Sequence, residues 1–324
     1  MDKTIKELGE RALLDLFEEL VDNGDLPFND DAVAYPLNNS DSMVVNIDTF
    51  VAKTDAPPNM TFYQMGAKAT TMAISDLAAK GVQPEFLVAS GNFPSNMSSQ
   101  DTIQLVKGIR DTAHKYNTKF LGGDTNAADD ISISVTVFGR IKKSNLIKRS
   151  TASKNDIICT TGSFGLTAAG FKVFIEEFES TKIQQEIFYK AVYEPDAKLK
   201  QGLILAQYGK ITSCIDSSDG LAWCLKEIIR SKNNVGIEIT NLPIASESKK
   251  FAESHNISGS DLVFYGGEEF ELVFTIKEDD IAGLKKLMDF HIIGKITSQY
   301  PEKIVLLEND KKTIIQPKGW EHFK

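Results

Sequence analysis

Six short acidic motifs interrupt this chain where apolar segments meet Gly, Ser, Thr or Asn. They are Asp30-Asp31, Ile47-Asp48-Thr49, Ile74-Ser75-Asp76-Leu77, Gly122-Gly123-Asp124-Thr125, Asp216-Ser217-Ser218-Asp219-Gly220 and Gly266-Gly267-Glu268-Glu269. Ends of strands and helices are the usual setting for such sites, so the motifs demand a fold that gathers those ends into one cleft. Like charges crowded in a water-poor cleft raise one another's pKa or force it open unless cations hold them. Carboxylates on short side chains are hard oxygen ligands suited to Mg²⁺, which leaves part of its shell to phosphate oxygens. The pattern therefore reads as a metal-dependent phosphate enzyme.

At 324 residues the chain exceeds the usual size of one core, which predicts two domains. The basic, polar and weakly periodic stretch 142–156 reads as the join, dividing 1–148 from 149–324. A formal net charge of −9 and a pI near 5.1 argue against nucleic acid or an anionic membrane as partner, though not against an anionic ligand that arrives with magnesium. The start, Met1-Asp2-Lys3-Thr4, lacks the basic and apolar regions of a signal peptide, and no apolar run is long enough to cross a bilayer. Cys159, Cys214 and Cys224 form no CxxC or Cys/His pattern and read as reduced core thiols of a cytoplasmic protein.

Periodicity predicts a first helix over 5–21 and a strand over 43–50 that carries Asp48 near its end. A helix over 61–80 follows the break at Pro57-Pro58, with Gly81 stopping it. Then come a strand at 86–90, an amphipathic helix at 101–116, and a short strand at 119–121 leading into a Gly-Gly-Asp turn. Residues 131–141 alternate Ile, Ser, Ile, Ser, Val, Thr, Val, the clearest half-buried strand in the chain. In the second half, strands are expected at 157–161, 211–215, 236–239 and 271–276, and a helix at 166–178. Both halves are thus α/β, with mixed sheets.

Each motif has a plainer rival. Asp30-Asp31 alone suits a solvated turn. Asp48 inside Val44-Val45-Asn46-Ile47 needs a partner or a strand end. Asp76 on its helix fits an exposed face or close packing against a ligand. Gly122-Gly123-Asp124 suits a phosphate and its metal, or a tight hairpin. Asp216 and Asp219, three apart with serines between, suit a Mg-phosphate site at a helix start, or simple helix capping. Arg149 could clamp a phosphate or lie in a solvated linker. The four histidines, His114, His255, His291 and His322, share no spacing with a nucleophile, and no P-loop or GxGxxG is present.

Taken together and in order, these motifs, through Gly319-Trp320-Glu321-His322-Phe323, resemble those of the thiamine-monophosphate kinases. That family shares a superfamily with aminoimidazole ribonucleotide synthetase, selenophosphate synthetase and the hydrogenase-maturation dehydratase. The resemblance implies a two-domain architecture of that kind: an N-terminal half that binds ATP and Mg²⁺ and pairs in a homodimer, and a C-terminal half closing the cleft. It also implies transfer of the ATP γ-phosphoryl to thiamine monophosphate. By motif position, Asp30, Asp48, Asp76, Asp124, Asp216 and Asp219 are the implied ligands of several Mg²⁺ ions, with Asp124 and Asp219 catalytic. Gly123, Asp124, Arg149 and Ser218 are the implied ATP contacts; Glu268 and Trp320 the substrate contacts, an aromatic plane beside a cationic thiazolium having its own rationale.

Departures from the family pattern include Asn29 in place of glycine, and the lack of glycine after Arg149-Ser150. The segment 51–58 resembles the archaeal branch, with Asp55 standing where bacterial members have a substrate-binding histidine. Two other functions fit the same motifs. One is a sister synthetase acting on another small acceptor, although no cysteine precedes Cys159 and the chain ends in Phe323-Lys324. The other is a non-catalytic nucleotide or divalent-cation sensor.

Overall fold

The computed structural model describes residues 3–230, 232–308, 311–321 and 323. Met1, Asp2, His322 and Lys324, to which some of the expectations above refer, lie outside them. Two mixed sheets carry the fold. The first has the order β1 (Val33–Pro36), β2 (Asp41–Val51), β5 (Ser132–Lys142), β3 (Phe86–Phe93) and β4 (Lys119–Ala127), with only β3 and β4 parallel. The second runs β12 (Lys311–Ile315), β11 (Ile304–Glu308), β8 (Gly236–Ile239), β10 (His291–Thr297), β6 (Ile157–Thr160), β9 (Leu272–Ile276) and β7 (Ile211–Asp216), with only β11 and β8 parallel.

Strict alternation makes β2 and β5 the centre of the first sheet. Ser42, Val44, Asn46 and Phe50 turn inward while Ile47 and Thr49 stay exposed, as a period of two requires. Onto the inner face packs a long helix, counted α4 (Phe62–Ala79) after α1 (Ile5–Leu8), α2 (Glu10–Phe17) and α3 (Ala52–Asp55). Thr61 caps α4 reciprocally with Gln64, and Gly81 ends it at φ 71°. Ala, Gly, Ser and Thr on nearly every side let α4 sit buried between the first sheet, α5 (Ser99–Lys115), β7 and a helix at Leu199–Tyr208.

One core therefore crosses the whole molecule. Val44, Leu77, Leu87, Ile133 and Val135 join Leu205, Cys214, Leu272, Phe274 and Ile276 in a single cluster, and a second gathers around Ile158, Leu225, Ile237 and Ile293. All three cysteines are buried and free.

Two local expectations fail. The predicted helix over 5–21 breaks at Gly9, whose φ of 76° and ψ of 165° only glycine adopts cheaply. It becomes α1, α2 and one 3-10 turn, none with a buried residue. Gly122-Gly123-Asp124 is no turn: it lies within β4, paired with Ala89 and Ser90 of β3. A Cβ on Gly123 would stand 1.6 Å from the Ala89 carbonyl oxygen, so strand approach alone requires that glycine. Among the described residues no helix is long and apolar enough to cross a membrane.

Candidate active site

Helix α4 forms one wall of the site. Lys68, Met72, Asp76 and, at the C-cap, Lys80 recur every four residues, which sets them along one stripe of the helix. Ser75, beside Asp76, donates to Asp216 at the end of β7 (2.7 Å), and Asn46 of β2 donates to Asp76 (2.5 Å). Carboxylate oxygens of Asp31, Asp76 and Asp216 all lie within 4.8 Å of one another. Burial pushes Asp76 far above the usual carboxylate range, helped by the charges of Asp216, Asp48 and Asp31. Burial, with Asp31 alongside, raises Asp216 to about 7. Such a set, all hard oxygen with neither imidazole nor thiolate, fits a divalent ion of the Mg²⁺ kind.

The other member of the acidic pair points elsewhere. Asp30 forms a buried ion pair with Lys80 and accepts from the Arg149 backbone N–H (3.0 Å). Burial alone would raise its pKa, but Lys80 and Arg149 hold it below the usual value. Lys80 also reaches Asp31 (2.9 Å) and donates to the Cys214 carbonyl (3.0 Å). Asp31 thus faces both ways, toward two resident cations and toward Asp76 and Asp216. Removing one partner of a buried pair strands the other charge, so Lys80→Met should cost roughly 3–5 kcal/mol of stability in a denaturant titration. A loss below about 1 kcal/mol would mean the pair behaves as an exposed one.

From this cluster a cavity of about 920 Å³ opens between the two sheets. Asp48, Thr49, Asp76, Asp216, Ser218 and Asp219 are among the residues that line it. The loop carrying Ser218 and Asp219 does not owe its acidity to capping: the N-cap of the following helix, Leu221–Ile228, is Gly220, with no side-chain cap bond. Arg11 of α2 bridges Asp219 (2.9 Å) and Glu227 (3.0 Å), its guanidinium lying 3.7 Å from the Trp223 ring centroid.

Asp55, Glu268 and Trp320 line the cavity too, with Pro57, Phe171 and Tyr265. Asp55 accepts from the Val51 N–H (2.6 Å), and Trp320 is half exposed on a backbone bond to the Asp219 carbonyl. Glu268 sits at φ 62° in a loop tied to the acidic loop, its N–H donating to the Ser218 carbonyl (2.7 Å). Its neighbour Glu269 turns away and accepts from the N–H groups of Gly165 (2.6 Å) and Thr167 (3.2 Å) at the start of the helix Leu166–Phe174. Burial raises Glu269 to about 7.

The structure does not gather all six of the expected aspartates. Asp48, Asp76, Asp216 and Asp219 share the cavity; Asp30 is held by Lys80, and its place beside Asp76 is taken by Asp31. Asp124, itself exposed, pairs in the row Thr49, Ser134, Ser90, Asp124, whereas Asp48 shares its row with buried Val135. Gly123 shares the row of Asp48, but it and Asp124 lie on the edge strand β4, and within one chain neither lines the cavity. Arg149 is pinned between Asp31 (3.2 Å) and Glu227 (3.7 Å), facing a separate cavity. Sequence reasoning missed Asp31, Lys68, Lys80 and Arg11. For the two lysines a signal existed: cations among Ala and Gly, eight residues before and four after Asp76 on one helix.

Residues 29–141 match the family model described as AIR synthase related protein, N-terminal domain. Fold and match together place the chain in the aminoimidazole ribonucleotide synthetase-like class of two-sheet α/β proteins. It is 32% identical to the thiamine-monophosphate kinase of Nitrosopumilus maritimus (99% of this chain, 100% of the relative) and 33% identical to that of Pyrococcus horikoshii (98% and 97%). The chain belongs to the thiamine-monophosphate kinase family. A solved structure, AaThiL complexed with AMPPCP and TMP, shares the fold at a TM-score of 0.86 and 22% identity, covering 99% of both chains.

Proposed function

We propose that this chain transfers the γ-phosphoryl group of ATP directly to the phosphate of thiamine monophosphate, forming thiamine diphosphate and ADP. The observation that carries the reading is a single cavity lined by Asp48, Asp76, Asp216 and Asp219 together with Asp55, Glu268 and Trp320. Family membership and a neighbour solved with AMPPCP and TMP support the substrates.

Two anions must meet for the reaction, so catalysis is charge neutralisation and positioning. Asp31, Asp76 and Asp216, with Asp48 and Asp219, are the residues we assign to Mg²⁺; Asp31 takes the place expected of Asp30. Bound there, Mg²⁺ would offset the charge of both phosphates and hold them in line. The acceptor phosphate, with a second pKa of about 6, is already ionised at neutral pH, and no general base is required. Ser218, beside Asp219 in the cavity lining, is assigned to the nucleotide.

We assign Gly123, Asp124 and Arg149 to the nucleotide side as well, in a homodimer divided in each chain near 148. Exposed Val33, Tyr35 and Ile47 lie on the same sheet face as Asp124, and apolar surface of that kind supports pairing there. Incubation with ATP, Mg²⁺ and thiamine monophosphate should give thiamine diphosphate and ADP in equal amounts. Nucleotide binding without product would instead identify a sensor.

A further inference from the structure

We propose that Lys68 is a positioning residue for the acceptor: its buried ammonium holds the Glu268 carboxylate and the Asp55 segment in the geometry that selects thiamine monophosphate. The inference rests on the functional reading above and adds to it a residue that touches neither substrate.

Lys68 is 1% exposed, an unusual place for a lysine. Its ammonium pairs with Glu268 (2.6 Å) and donates to the Asp55 carbonyl oxygen (2.7 Å), and it lies 6.0 Å from the Phe50 ring centroid. These contacts join three separate pieces of chain: α4, the short helix α3, and the 266–270 loop of the second half. Asp55 and Glu268 line the cavity, whereas Lys68 does not. Lys68 is therefore a cation behind the wall, with two of the acceptor-side groups in front of it.

The arrangement has a chemical purpose. Burial favours the neutral form of Glu268, and the neighbouring ammonium opposes that effect. A carboxylate held in place can meet a cationic heteroaromatic ring; a swinging one cannot. Glu268 also sits in left-handed backbone, a conformation that surrounding contacts must enforce. The Lys68 pair supplies one such contact, and the Ser218 carbonyl another. If Lys68 were only a clip between the two halves, its loss would disturb both substrates equally, since the nucleotide side shares the same loops.

Steady-state kinetics of the full-length protein test the difference. Wild-type turnover of ATP and thiamine monophosphate is measured first, because absence of thiamine diphosphate overturns the functional reading and this inference with it. Given turnover, Lys68→Met and Glu268→Gln should each raise the KM for thiamine monophosphate by roughly tenfold or more, leaving the KM for ATP within about twofold. The double variant leaves no buried charge unpaired, so it should fold even where Lys68→Met does not. Its acceptor KM should rise by far less than the product of the two single effects, as expected for residues acting largely as a unit. Equal rises in both KM values, or a normal acceptor KM in Glu268→Gln and the double variant, would overturn the proposal while leaving the kinase reading intact.

Discussion

Asp216→Asn is expected to fold normally and to lose turnover by roughly two to three orders of magnitude at saturating ATP and Mg²⁺. The residue is 5% exposed, ends a core strand, and faces both Asp76 and Asp31, so no neighbouring side chain can take over its place. Asparagine keeps the shape and an oxygen for the Ser75 hydroxyl, but not the charge that a divalent ion requires. The same change should leave the metal-free protein as stable as before or more so, because one of three crowded carboxylates is gone. Asp76→Asn should behave alike. Rates and thermal melts of the same preparations decide the matter. A variant within about tenfold of wild-type turnover would remove Asp216 from the metal-binding set.

The metal-free protein should lose stability as pH rises, opposite to the usual behaviour of paired carboxylates. Asp216 is raised from 3.8 to about 7, and Glu269 from 4.5 to about 7, while Asp76 lies well above the ordinary range. For a carboxyl whose folded pKa exceeds its unfolded one, the folded state holds the proton longer. Its stabilisation is complete below the unfolded pKa and is lost as pH climbs through the folded value. The window here runs from the ordinary carboxylate range near 4 up to about 7.

Mg²⁺ should reverse the part of this loss that belongs to the aspartates. Its effect on Tm is therefore expected to be large at about pH 8 and small at about pH 5. Glu269, bound to the start of a helix rather than to the cluster, should contribute to the slope but not to the Mg²⁺ response. Glu269→Gln separates the two: a flatter pH profile with the Mg²⁺ increment unchanged. A Tm rise independent of pH would show that the ion binds elsewhere.

Much of the fold was legible in local pattern. The alternation at 131–141 became β5, the helix expected over 61–80 and stopped by Gly81 became α4, and 236–239 is a strand with those same ends. Local pattern misled where one residue or one neighbour decides. The first helix broke because Gly9 adopts a backbone angle that the apolar spacing around it does not reveal. Gly122-Gly123-Asp124 looked like a turn because Gly and Asp favour turns, yet a parallel neighbour strand drew it straight.

Residue types and their order in the chain were enough to name the chemistry: hard carboxylates at element ends, no nucleophile, no P-loop, and a family resemblance that the relatives bear out. Which carboxylates act together was a matter of tertiary structure alone. Asp30 and Asp31 are indistinguishable in one dimension, but while Lys80 pairs with both, only Asp31 also reaches Asp76 and Asp216. Asp124, drawn into the edge strand β4 beside β3, lies outside the cavity within one chain, a placement that no local signal encodes. Lys68 and Lys80 acquire their roles only once burial strips them of water, so that each must find its counter-charge on a distant segment.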